Sequence, residues 1–161
     1  MANTGFAFTQ RCNLPIFGRM IKSKNPDYKN YVKYKISRNK FMRHLGFEIT
    51  TIQAGYIEGE LNIESCHEQQ NGMLHGGVTS TLCDIVAGFA SYSVIGAEEQ
   101  VFTVEIKISY LRPGIGKKVK AKGQVIKAGR RFIFSESELW MLLPDGQETM
   151  IAKASTTMAV R

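Results

Sequence analysis

One stretch of this sequence combines residue types and spacing that could drive acyl transfer. Gly76-Gly77 opens a segment in which apolar residues recur at helical intervals, and Asp84 lies inside it among Leu82, Cys83, Ile85 and Val86. The first N–H groups of a helix have no carbonyl behind them, and glycines leave them unobstructed by side chains. Aided by the positive end of the helix dipole, such donors suit a carbonyl oxygen that gains negative charge during acyl transfer. An acid in mid-helix is costly unless hydrated, paired or used, so Asp84 is the carboxylate best placed to act. Two structural alternatives stand beside this reading. Gly76-Gly77 could be a tight packing turn, and Asp84 a structural acid bonded to Ser80 or to neighbouring backbone.

The spacing restricts how the two could cooperate. Asp84 follows Gly76 by eight positions, roughly 12 Å along a helix that rises about 1.5 Å per residue. One carbonyl group cannot reach both. If both act on one substrate, the acid comes from a second copy lying antiparallel beside the first. Ser80, Ala87, Gly88 and Ser91 give the face around Asp84 the small size that close helix packing requires. The sequence therefore predicts a dimer with two shared sites.

The elements that must position these groups can be read from periodicity. Val78, Leu82, Ile85, Val86 and Phe89 form the apolar stripe of the central helix. Ahead of it, residues 47–53 and 56–64 alternate with period two and read as strands joined near Ala54-Gly55. Residues 65–72 are a polar loop. After the helix, residues 102–110, 119–127, 131–143 and 148–160 alternate again, punctuated by Arg112-Pro113-Gly114, Ala128-Gly129-Arg130 and Pro144-Asp145-Gly146. Two strands, a helix and four strands imply one antiparallel sheet wrapped around a single helix, an α+β arrangement. Residues 1–37 read as an extension: a short helix over residues 14–24, a turn at Asn25-Pro26-Asp27, then Ser37 as the N-cap of a helix ended by Gly46.

Composition sets the outer limits. A chain of 161 residues with 43% hydrophobic and 22% charged residues is expected to form one globular domain. No apolar run reaches the length of a membrane span, and no secretory signal is recognisable. Three cysteines, Cys12, Cys66 and Cys83, cannot all pair internally and lack ligand spacing. They fit a reducing compartment, and a cytoplasmic location is expected. His44, His67 and His75 lack ligand spacing with acids or thiols, so no metal site is expected. The net charge of +7 is uneven: residues 11–40 carry nine Lys or Arg and only Asp27 as an acid. Such an arm could meet nucleic acid, a membrane surface or an anionic ligand, or simply be solvated. No helix-turn-helix spacing supports nucleic acid as a partner.

The run Gln69-Gln70-Asn71-Gly72-Met73-Leu74-His75-Gly76-Gly77-Val78, followed by Asp84, resembles the hotdog-fold thioesterases of the phenylacetate-degradation and acyl-CoA thioesterase 13 type. The resemblance spans about residues 41–161 and implies a sheet of about six strands around one helix; the basic, partly helical extension over residues 1–40 lies outside it. It implies hydrolysis of acyl-CoA to free acid and coenzyme A by a homodimer or a dimer-of-dimers tetramer, with no cofactor beyond the substrate's own coenzyme A. In that family the glycine after the histidine, here Gly76, holds the thioester carbonyl. The acid, here Asp84, acts from the partner subunit as general base or nucleophile, and Gln69 helps position the carbonyl or water. Thr103 matches a residue that places water in some members, or is an ordinary strand residue. Asn71, His75 and Gly77 are further candidates for substrate contact, beside the readings of Asn71 as a common loop residue and of His75 as a structural group holding the loop against neighbouring backbone rather than the base. Some relatives carry a hydroxyl residue one turn beyond the acid, where this chain has Gly88; Ser91 is the nearest substitute. Coenzyme A carries phosphates, so a basic rim is expected from Lys107, Arg112, Lys117, Lys118, Arg130 and Arg131. Phe102, Phe132, Phe134 and Trp140 are candidates for an acyl pocket or for the sheet core. A non-catalytic acyl-CoA sensor and a hotdog hydratase or dehydratase remain as alternatives.

Overall fold

The computed structural model describes residues 21–161. Helices α1 (Tyr28–Arg38) and α2 (Lys40–Leu45) precede strands β1 (Glu48–Gln53) and β2 (Tyr56–Asn62). A 3-10 turn (Ser65–His67) and a loop lead into the long helix α3 (Gly76–Tyr92). Strands β3 (Val101–Tyr110), β4 (Lys118–Ala128), β5 (Phe132–Leu142) and β6 (Glu148–Val160) follow. All six strands form one antiparallel sheet in the order β1-β2-β4-β5-β6-β3, curled around α3. This is the hotdog arrangement.

Alternation decides which face of the sheet meets the helix. In β4, Val119, Ala121, Gly123 and Val125 turn inward while Lys118, Lys120, Lys122 and Gln124 turn outward. Leu82, Val86 and Ala90 of α3 are fully buried against that face together with Ile57, Leu139 and Met158, each large apolar side chain contributing about 1.5–3 kcal/mol on burial. The helix sits unusually close at one point. A Cβ on Gly123 would lie 2.5 Å from the Val86 carbonyl, so only glycine fits beneath the helix backbone there. Small hydroxyls serve the same close approach along β5: Ser137 donates to the Cys83 carbonyl at 2.8 Å, and Ser91 lies 3.2 Å from Ser135.

Several expectations for the N-terminal region change. The helix expected over residues 14–24 lies mostly outside the described residues, and residues 21–24 are not helical. The turn at 25–27 is present, with the Asp27 N–H donating to Asn25 Oδ1 at 2.9 Å. It opens α1, which the sequence reading missed. This helix buries Val32 alone, too sparse a stripe to register as periodicity. Ser37 falls in the last turn of α1 and donates to the Tyr34 carbonyl. The N-cap of α2 is Asn39, whose Oδ1 accepts the Met42 N–H at 2.9 Å. Gly46 ends that helix at φ +70°, as expected.

Candidate active site

The entrance to α3 is assembled from local hydrogen bonds. The Gln69 N–H donates to Met73 O at 2.8 Å and Gly72 N–H to Gln69 O at 3.0 Å, closing a tight loop. His75 is tied to His67 and Leu74 to Gly114 by backbone bonds of 2.8 and 2.9 Å. His75 then caps the helix: its Nδ1 accepts the Gly77 N–H at 2.8 Å, which places a neutral ring's proton on Nε2. The expectation of two free donors is therefore corrected. Gly77 is committed to its cap, and Gly76, the first helical residue, keeps an N–H with no carbonyl behind it. Tyr110 donates its hydroxyl to the Gly76 carbonyl at 3.1 Å. Gly76 faces a pocket of about 360 Å³ with Gln69, Thr79, Tyr110, Arg112 and Pro113 among its walls.

Asp84 opens into a different pocket of about 300 Å³, lined by Gly88, Phe89, Tyr92, Val101, Thr103 and Met158 and by Lys35, Arg38 and Asn39 from the helical region before β1. Asp84 is half-buried, and its Oδ1 accepts the Thr103 hydroxyl at 2.7 Å. The β3–β6 register shifts between Thr103 and Glu105, and such a bulge re-aims the side chain beside it. Ser80 donates to Gly77 O instead, so it is not a partner of the acid. Burial, and then the Asp84 charge, push the Cys83 thiol up to about 12; it is an inert neighbour.

The two pockets share no lining residue. Beside both runs β3, the end strand of the sheet, which faces no described strand on its outer side and leaves a row of backbone groups without ladder partners.

The remaining sequence candidates divide. Gln69 and Arg112 join Gly76, and Thr103 joins Asp84. Asn71 sits exposed at the loop tip, and Arg130 in the β4–β5 turn, both outside the two pockets. Lys118 pairs with Glu60 at 2.8 Å. Phe102, Phe132 and Phe134 are exposed, and Trp140 packs under Lys122 on the outer sheet face, so none of the four lines a pocket. Ser91 is fully buried and bonded to Ala87 O, so it cannot serve the Asp84 pocket. Sequence reasoning missed Tyr110, Tyr92, Lys35 and Arg38, and only the unexplained basic arm hinted at the last two. Among the described residues no group of three His, Cys, Asp or Glu could hold a metal ion, and no helix is long and apolar enough to cross a membrane.

Comparison with known proteins gives a consistent picture. The sequence profile of the thioesterase superfamily matches residues 71–142. A thioesterase family protein from Silicibacter pomeroyi, known as a crystal structure, is 31% identical, with 83% of this chain and 97% of that chain covered at a TM-score of 0.80. The proofreading thioesterase EntH of Klebsiella pneumoniae is 26% identical over 107 residues, covering 66% of this chain and 74% of the relative. Human acyl-coenzyme A thioesterase 13 is 28% identical over 120 residues, covering 73% and 84%.

Proposed function

The chain belongs to the thioesterase superfamily, and on that premise we propose that it hydrolyses acyl-CoA thioesters in active sites shared between two subunits. Family membership supports thioester hydrolysis in general. The observation that carries the finer reading is the separation of Gly76 and Asp84 into two pockets flanked by the open edge of β3. Two chains meeting along that edge in antiparallel fashion would bring the Gly76 pocket of one against the Asp84 pocket of the other. Water then attacks the thioester carbonyl carbon while Asp84 takes its proton. The oxyanion forms against the Gly76 N–H, with Gln69 at the same wall. Collapse breaks the C–S bond and releases the free acid and the coenzyme A thiolate, which takes up a proton. Thr103 orients the carboxylate, and Arg112 belongs to the rim that meets the anionic carrier. Coenzyme A is part of the substrate, and the reaction as written needs no other cofactor.

The test is hydrolysis of short, long and aromatic acyl-CoAs by the purified protein. It is joined to a mixing experiment with Asp84→Asn and Gly76→Pro subunits. Proline suits the first helical position yet has no N–H, and the extended His75 (ψ 136°) tolerates a following proline. Each variant alone is expected to be nearly inactive, while a mixed dimer contains one intact site and recovers activity. Failure of the whole panel rejects the activity, and failure to complement rejects the shared site. A sensor would bind acyl-CoA without turnover. A hydratase would need an acid–base histidine paired with the acid, but His75 lines neither pocket and its Nδ1 caps the helix.

A further inference from the structure

The Asp84 pocket has a charged outer end. Asp84, Gly88 and Tyr92 succeed one another at four-residue steps along one face of α3, so Tyr92 lies roughly 12 Å beyond Asp84. The space between them is open: a Cβ on Gly88 would meet only Met158 Cε, at 3.8 Å. At the level of Tyr92 the helix α1 supplies two cations. The Lys35 ammonium lies 5.3 Å from the Tyr92 ring centroid and donates to Gln100 Oε1 at 2.8 Å. Arg38, on the next turn of α1, stacks 5.6 Å over Tyr34. Both line the pocket.

What sets these two cations apart is their place in the wall of the Asp84 pocket. Lys24, Lys118, Lys120, Lys122 and Lys153, which lie outside it, each pair with a carboxylate. Lys35 and Arg38 pair with no described carboxylate and are held by neutral groups, the amide of Gln100 and the hydroxyl of Tyr34. An ammonium has three donors and a guanidinium five, so each retains capacity for an anion. The two are held in place in the wall of the open pocket that also holds the acid.

Resting on the thioesterase reading above, we propose that Lys35 and Arg38 form a subsite for an anionic group carried by the substrate. That group is either a carboxylate at the far end of the acyl chain or a phosphate of its coenzyme A. The N-terminal helix α1 is then a specificity element of the pocket, which gives the basic arm a place in the chemistry. Charge-assisted hydrogen bonds of this kind discriminate by about tenfold or more against a ligand that lacks the anion.

The experiment compares kcat/KM for pairs of acyl-CoAs of equal length, one neutral and one ending in a carboxylate, and for the matching N-acetylcysteamine thioesters, which lack the phosphates. A terminal carboxylate bound here makes the charged member of each pair the better substrate with both carriers. Lys35→Met with Arg38→Gln then brings that ratio towards one, and Lys35→Arg retains it. A bound phosphate instead gives a variant that loses rate on every acyl-CoA and none on the N-acetylcysteamine thioesters. Arg38→Gln alone, at an exposed position, reports in the same direction without endangering the fold. Variants that leave all ratios unchanged, or that slow every thioester equally, overturn the subsite while acyl-CoA turnover by the parent protein upholds the activity. Absence of turnover in the parent protein removes the activity and the subsite together.

Discussion

Gly76 and Asp84 are positioned in different ways. The turn that presents Gly76 is held mostly by near neighbours in the chain: a loop closed by Gln69, a ring nitrogen of His75 capping its own helix, and the His75–His67 backbone bond. The group proposed to act there is a main-chain N–H. Around Asp84 the walls come from α1, α3, β3 and β6, and the group proposed to act is a side chain held by Thr103 from another element. The turn itself can be formed by a short run of sequence, although the pocket it faces also takes walls from residues 110–114 and Ile151. The Asp84 pocket exists only once the sheet has closed and α1 has docked.

Substitutions should separate the two. Asp84→Asn removes the proton acceptor while keeping the shape, and a drop of about 10²–10⁴ in kcat is expected. Gly76→Pro removes one oxyanion donor, for which about 10²–10³ is expected. Steady-state kinetics on the best acyl-CoA rank the two, and a larger loss at Gly76 would reverse the assignment of the dominant half. Thr103→Val takes away the hydroxyl that aims the carboxylate; about a tenfold fall in kcat with little change in KM is expected. An unchanged kcat would make the Thr103 bond structural. His75→Ala should act mainly on stability. Loss of the cap costs about 1 kcal/mol, or about 2–4 °C in the thermal midpoint of a protein of this size. If His75→Ala instead abolishes turnover in folded protein, its ring does more than cap.

The same contrast explains what was legible in the sequence. The strands, the central helix and the Gly76 turn follow from periodicity and local capping chemistry, both properties of consecutive residues. The roll of the sheet around α3 follows from the one-sided apolar pattern. The Asp84 surroundings do not follow in this way. That Ser91 faces Ser135 whereas Gly88 faces open space depends on which strand lies over each turn of the helix. Phe102, Phe132 and Phe134 have core-like side chains, and only their register places them on the outer face. α1 escaped notice because it buries one valine and leans on Tyr31 and Tyr92, an edge-on aromatic contact of 6.1 Å that no spacing rule announces.

The tight seat of Val86 on Gly123 also acts as a fulcrum. Asp84 lies two residues from it and Gly76 ten, roughly 3 and 15 Å along the axis. Any rocking of α3 about that seat therefore displaces the helix start about five times as far as the acid. The carboxylate rides near the pivot, with the Thr103 hydroxyl bonded to it. The Gly76 end rides at the tip of the lever, which is where the hydroxyl of Tyr110 and the ring of His75 are found holding it down.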